Sequence, residues 1–504
     1  MSTPAERKRW WVLLAMTGSL SMIMIDTTII TVALPAIHED LGIGQGMLEW
    51  VVIAYILVLA SMMALGGHVG DIIGKPRAFV IGALAFGLCS LLCGMAWDGS
   101  SLVIFRIMQG LAAVLMQPAS SALVIGSFAP GERGKAMGIY AGISLLFLTL
   151  GPVVGGVITE FSSWRYCFYI NLPVSILVAI GALVTRPTDT RQERQPFDWP
   201  GALLLVTGLP AFILGVKQGN AWGWNDPLTL LLLVGGTAML ILFIRVELRS
   251  EHPVVRIGLF RDRAFMGDAL MLMLTQSAVT GVMIFIGIYL QMVLGFSPVK
   301  AGFALMPLML PVLFVMYPAG KTYDRRGART PATCGGVAVV GGLVALALGT
   351  GSETYWVMAV GMVVIGLGLP FIQVPSNTDG MSRVEAGNRG MASGVLQTFR
   401  QFGSVVGLAV IAAVIATTQT SSLEGIGSRG DELSESDRTL LVEAMNGDGD
   451  SRARLLEENP GLDESLREVT GTGITRGVWT AVVIAMMIVI IAPITLSRKS
   501  GAQT

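Results

Sequence analysis

The sequence predicts an all-α polytopic membrane protein with fourteen transmembrane helices, and three observations carry that reading. Hydrophobic residues make up 53% of the 504 and charged residues only 13%, about half the share found in soluble domains. No soluble arrangement has enough polar surface to cover so much apolar side chain. Apolar runs long enough to cross a bilayer, at ~20 residues each, recur from one end of the chain to the other. The basic residues between those runs are segregated rather than mixed.

Arg7-Lys8-Arg9 opens the series, followed by an apolar run from Trp10 to Ile37. That run is too long for a signal peptide and no small-residue cleavage site follows, so it reads as an uncleaved first span. Further runs lie near 47–70, 77–97, 101–127, 135–160, 164–185, 198–219, 226–247, 264–294, 298–320, 329–350, 354–378, 389–418 and 474–497. When the chain starts inside and alternates, the inner segments collect Arg7, Lys8, Arg9, Lys75, Arg77, Arg133, Lys135, Arg186, Arg249, Arg261, Lys321, Arg325, Arg383, Arg498 and their basic neighbours. The short outer loops keep only Arg165, Lys217 and Lys300. A missed span would invert every later loop, so the pattern supports an even count with both termini cytoplasmic. Residues 419–473 form the one long outer segment and hold thirteen acids. They are expected to be a solvated linker or a cap over an exit path, with Leu440, Leu441, Met445, Leu455 and Leu456 hinting at short amphipathic helices.

Two glycine signatures recur at nearly one offset. Gly67-x3-Asp71-x2-Gly74 returns as Gly320-x3-Asp324-x2-Gly327, and Gly142-x8-Gly151-x-Val-Val-Gly155 returns as Gly394-x8-Gly403-x-Val-Val-Gly407. The shared offset divides the chain into an N-terminal six-helix bundle (1–186), a two-helix insert with its linkers (187–263) and a C-terminal six-helix bundle (264–504). Repeated six-helix halves are a transporter architecture, with the substrate site at midplane between them.

Several segments then carry a family resemblance. Asp26–Pro35 (DTTIITVALP), Gly67–Arg77 (GHVGDIIGKPR), Arg106–Gly110 (RIMQG), Gly151–Gly156 (GPVVGG) and Trp164–Pro173 (WRYCFYINLP) together resemble the motifs of the major facilitator superfamily, and within it the fourteen-span drug/proton antiporters. The resemblance covers essentially the whole chain. It implies the major facilitator fold and proton-coupled multidrug efflux. It further implies a conformational gate at Gly67, Asp71, Gly74, Lys75, Arg77, Asp324 and Gly327, and an antiporter motif at Gly142, Gly151, Pro152, Gly155 and Gly156. One departure is Ile72, where the family usually has a basic residue; the gate's charge relay is then expected either to be weaker or to pass through Lys75 and Arg77. Family geometry directs Asp71 to the start of span 13, near Arg389-Gly390, and Asp324 to span 5.

The residues themselves add chemistry. Asp26 is a carboxylate deep in a span, which costs on the order of 2.5–3.5 kcal/mol unless it meets a cavity or a partner. Arg106 on span 4 reaches the same depth, so the pair is a candidate proton switch. Arg400 stands near the middle of span 13, to snorkel, to pair with Gln397 or Gln401, or to attract an anionic group. Gly151-Pro152 removes one helix hydrogen bond, and the surrounding glycines permit close helix approach. Asp26 is read as the only deep carboxylate, with Glu49 and Asp268 near span ends and none in spans 10–14. A broad cavity walled by Met22, Met24, Phe147, Phe285, Met292, Met309, Phe314, Phe371 and Phe399 would suit hydrophobic compounds that are neutral, zwitterionic or singly charged.

Other classes are disfavoured. Gly320-Lys321-Thr322 resembles the end of a phosphate loop, but Val315 stands where its first glycine must be. No Ser/His, Cys/His or metal-ligand cluster supports an enzyme or a metal site, and the four cysteines lie in apolar runs without ligand spacing. The expectation is a monomeric transporter in the plasma membrane. Its partners are a hydrophobic small molecule, protons and the lipid bilayer, with no cofactor and no nucleic acid. The alternative on the same fold is a lipid or metabolite flippase or facilitator without proton coupling.

Overall fold

A computed structural model describes residues 4–188, 197–427, 454 and 462–497. It contains fourteen helices long and apolar enough to cross a membrane. They are α1 (Pro4–Leu41), α2 (Gln45–Ile73), α3 (Lys75–Gly94), α4 (Gly99–Ser127), α5 (Arg133–Phe161), α6 (Asn171–Thr185), α7 (Trp199–Trp222), α8 (Pro227–Glu247), α9 (Arg263–Met292), α10 (Met306–Arg326), α11 (Arg329–Gly351), α12 (Tyr355–Ser382), α13 (Arg389–Gly427) and α14 (Leu462–Thr495). Short helices at Tyr166–Tyr169 and Pro298–Ala304 lead into α6 and α10.

Local chemistry sets the ends of these helices. Asp98 accepts from Ser101 N at 2.7 Å, Asp226 from Leu228 N at 2.9 Å and Asp262 from Ala264 N at 2.9 Å, each satisfying an amide that the first helical turn leaves open. Gly74 (φ 97°) and Gly327 (φ 73°) take the left-handed backbone that turns α2 into α3 and α10 into α11. A side chain there would be strained, which gives the recurring glycine of the repeat its physical reason.

Helices α1–α6 pack on one another, as do α9–α14, and the principal contacts between the two groups are α2 with α13 and α5 with α10. Helices α7 and α8 pair with each other, and α7 leans on both α2 and α13, stacking Phe212 on Phe402 at 5.9 Å between ring centroids. Outward-facing Leu228, Leu231, Val234 and Ile241 on α8 are exposed, as expected of a surface solvated by lipid tails.

Two expectations are corrected here. Helix α13 continues to Gly427 and α14 begins at Leu462, so the long segment between spans 13 and 14 starts later and ends earlier than 419–473. Its hinted helices around Leu440 and Leu455 lie outside the described residues. Lys217, read as a loop residue, sits inside α7, because the apolar run that contains it extends through Gly219.

Candidate functional site

With fourteen crossings, α1 starts and α14 ends on the same side of the bundle, here termed the terminal face. Two carboxylates close that face between the halves. Asp71, in the last turn of α2, accepts from Gly390 N at 3.0 Å and Met391 N at 2.7 Å. Asp324, in the last turn of α10, accepts from Gly134 N at 2.8 Å and Lys135 N at 2.9 Å. Both meet the amino end of a helix in the opposite half, where unsatisfied amides and the helix dipole favour negative charge. The helices come this close because Gly67 lies against the Gly390 carbonyl, and Gly320 against that of Gly134, where a Cβ would collide.

The two contacts differ in their surroundings. Asp71 is fully buried, as is Lys75, whose Nζ stands 2.7 Å from Asp71 Oδ1 and donates to Gly387 O at 3.2 Å. Asp324 is half-buried. In place of the basic residue missing at Ile72, Lys75 supplies the charge; Arg77 is exposed and does not reach the carboxylate.

Asp26 faces the interior of the N-terminal bundle. Arg106 Nη1 lies 2.7 Å from Oδ2, while Gln109 Nε2 and Asn171 Nδ2 donate to Oδ1 at 2.9 and 3.0 Å. Arg106 also donates to Gln109 Oε1 at 2.7 Å and Val51 O at 3.2 Å, and its guanidinium sits 4.1 Å from the Tyr55 ring centroid. Asp26 and Arg106 are 0% and 1% exposed. A buried pair of this kind is tolerable only with its remaining hydrogen bonds satisfied, and here spans 1, 2, 4 and 6 all contribute. Gln109 and Asn171 fell within the motifs read from the sequence, yet their place at Asp26 was not foreseen; only the fold brings spans 4 and 6 to the carboxylate of span 1.

One turn further along, Gly151 and Gly155 abut Thr28 and Ile29 of α1, and Gly142 faces Met316 of α10. Gly156 has ordinary room beside Val32. Pro152 has no N–H to give Leu148 O four residues back, and Thr28 Oγ1 donates to that carbonyl at 3.0 Å. The hydroxyl of one motif therefore repairs the hydrogen bond broken by another. Thr28→Val should lower the stability of the purified protein by about 1 kcal/mol, the net worth of one ordinary hydrogen bond to a half-buried acceptor, whereas Thr28→Ser should retain most of it. Equal melting of Thr28→Val and the parent would show that the carbonyl needs no partner.

On the side away from the terminal face a cavity of about 1020 Å³ lies between the halves. Its walls are aliphatic, including Leu34, Val52, Ile53, Ile56, Leu57, Ile284, Val405 and Leu408, with Thr31, His38, Glu49, Lys217, Gln218, Thr280 and Ser404 adding polar groups. None of the nine Met and Phe candidates lines it. Met22 is sealed in the core, whereas Phe314 and Phe147 are exposed, so residue type alone did not mark this wall. Arg400 lies one helical turn below the cavity residue Ser404 and forms no hydrogen bond with Gln397 or Gln401; Arg400 Nε and Gln397 Oε1 are buried without partners.

Among the described residues spans 10–14 hold no carboxylate deep in a span, but one that the sequence reading passed over is buried at a span end. Asp379, in the last turn of α12, is fully buried, taking Arg383 Nε at 2.7 Å and the Tyr323 hydroxyl at 3.0 Å. Asp268 is buried beside the same arginine at 3.9 Å, and Arg383 donates to Ser497 Oγ at 2.6 Å. The apolar run was drawn to end one residue before Asp379, which hid it. These acids tie α9, α10, α12 and the end of α14 together and do not border the cavity.

Comparison with known proteins agrees with this architecture. The chain is 34% identical to a puromycin resistance protein of Streptomyces alboniger over 422 residues, covering 81% of this chain and 82% of that one. It is 30% identical to a tetracenomycin C resistance and export protein of Streptomyces glaucescens, covering 82% and 78%. The solved structure of the proton:xylose symporter XylE superposes with a TM-score of 0.62 at 14% identity, covering 98% of each chain, a likeness of fold alone. A profile of the Major Facilitator Superfamily matches residues 16–408, and the chain, a multi-pass membrane transporter, belongs to that superfamily.

Proposed function

We propose that this transporter exports hydrophobic or amphipathic small molecules, such as drugs, antibiotics or toxic metabolites, across the plasma membrane by proton-coupled alternating access. Both termini are cytoplasmic in this reading, as the charge pattern of the loops supports. The terminal face is then the inner face, and the structure corresponds to an outward-open state. Residues 1–186 and 264–504 rock against each other, and 187–263 accompanies them. One chain supplies both halves and the whole cavity, which suits a monomeric unit. Resistance and export functions of the relatives named above support the substrate class.

The observation that carries coupling is the Asp26 site. A charged Asp26 holds Arg106 and draws spans 1, 4 and 6 together. A protonated Asp26 loses the ion pair and frees the guanidinium to reorganise against Tyr55 and Gln109. Because Thr28 and Gly151 lie next along the same helices, that rearrangement is transmitted to the α1–α5 contact. The two carboxylate locks stabilise one conformer only, and a contact made in one state biases the equilibrium between states. Arg400, under the cavity floor, is a further charge on the path between the halves.

Proteoliposomes with the terminal face exposed to the bath should concentrate a hydrophobic dye when the lumen is acidic, and a protonophore should abolish the accumulation. Dye movement indifferent to the protonophore would instead favour an uncoupled facilitator or lipid flippase.

A further inference from the structure

The insert between the halves is part of the cavity. Ile213, Lys217 and Gln218 of α7 form one stretch of its wall, opposite Thr31, Leu34 and His38 of α1 and beside Glu49 and Val52 of α2. The three ionisable side chains on the wall are Lys217, Glu49 and His38. His38 Nδ1 is already engaged with Ile43 O at 2.5 Å. Glu49 is exposed at the mouth. Lys217 is half-buried, and among the described residues it makes no ion pair and no hydrogen bond. An ammonium on an apolar wall inside a membrane span is costly unless it meets an anion or water.

The carboxylates that could neutralise a cationic cargo are sealed elsewhere. Asp26, Asp71 and Asp379 are fully buried with partners inside their own networks, and Asp268 is equally buried 3.9 Å from Arg383 without a hydrogen bond to either oxygen. Glu49 is the one acid on the wall. The next cation inward is Arg400, whose Nε has no partner. Arg400 lies beneath the wall rather than on it, and Lys217 is the one lysine or arginine among the lining residues.

We infer that Lys217 of α7 is a charge-selecting residue of the substrate cavity, and that the preferred cargo is an apolar molecule bearing one acidic group, as a monoanion or a zwitterion. The inference rests on the export reading above and narrows its substrate class. Glu49 on the neighbouring stretch of wall suits the zwitterion, whose ammonium it meets. The aliphatic walls bind the body of the molecule by area and shape alone. The two additional spans then complete the binding site, and a twelve-span chain lacking α7 would leave that wall open to lipid.

The test compares three fluorescent amphiphiles of matched hydrophobicity, one monoanionic, one neutral and one monocationic. Each is measured for binding to the purified full-length protein and for efflux in proteoliposomes. Lys217→Gln should weaken binding of the monoanion about tenfold, the loss expected of one charge-assisted hydrogen bond, with the neutral dye unchanged. Lys217→Glu should weaken the monoanion further and improve the monocation. Equal loss for all three dyes would assign Lys217 a structural role and overturn the inference; unchanged binding of the monoanion would overturn it as well. Binding is read without a gradient, so normal charge selection with no gradient-driven efflux would count against coupled export and leave the selectivity assignment standing.

Discussion

Asp26→Asn should reduce gradient-driven efflux to the level of protein-free vesicles while downhill exchange of substrate persists. An amide has no proton to cycle, and the site offers no second carboxylate: its other partners are Arg106, Gln109 and Asn171. The substitution also strands a guanidinium that is 1% exposed. Removing one member of a buried pair costs on the order of 3–5 kcal/mol, part of which Arg106 recovers through Val51 O, Gln109 Oε1 and the Tyr55 ring. A lower melting temperature should therefore accompany the transport defect, and downhill exchange is the control that separates lost coupling from lost folding. Asp26→Glu, which keeps a titratable oxygen at the cost of one methylene, should recover part of the uphill rate. Uphill export by Asp26→Asn at the parental rate would falsify the coupling assignment.

The second large effect is expected at the terminal face. Asp71→Asn should abolish transport with membrane abundance intact. The asparagine keeps one acceptor for Gly390 N or Met391 N but loses the charge that balances Lys75, itself only 2% exposed. Breaking that pair and the favourable approach to the helix end costs on the order of 3–5 kcal/mol in the closed conformer. At 1.4 kcal/mol per factor of ten, the closed state falls by about two to three and a half orders of magnitude relative to the alternative. Spin labels on α3 and α11 at this face should report a longer distance in the variant. Asp324→Asn should have a smaller effect, since Asp324 is half-buried and has no ion pair among the described residues. Normal transport and unchanged distances in Asp71→Asn would make the contact dispensable.

Span number, fold and family were legible because each rests on local properties: run length, charge between runs, and short motifs. The recurring glycines were legible for the same reason, and Gly74 and Gly327 turn out to occupy the backbone conformation that needs them. What escaped was set by tertiary placement. Lys217 has the sequence context of a loop end, yet one more helical turn brings it to a cavity wall. Asp379 lies one residue past a hydropathy boundary, and only packing against Tyr323 and Arg383 reveals that it is buried. The Met and Phe residues proposed for the cavity share composition with the lipid-facing and core surfaces. Distinguishing those three environments requires knowing which helix lies beside which. The hydroxyl of Thr28 could not be matched to Pro152 from spacing, because 120 residues separate Thr28 from the carbonyl it caps.

Apart from Lys75 beside Asp71, the donors in the two contacts belong to no side chain. Asp71 and Asp324 bind main-chain amides, so exchanging residue 391 or 135 leaves those amides in place unless the newcomer is proline. The carboxylates have no such insurance, since a single nucleotide change converts aspartate to asparagine. Inheritance of each lock is therefore lopsided. One helix can drift in sequence while still presenting the same donors, and the other must hold one amino acid. A chain that repeats the arrangement in its two halves carries the same exposure to mutation twice, once with a buried lysine at stake and once without.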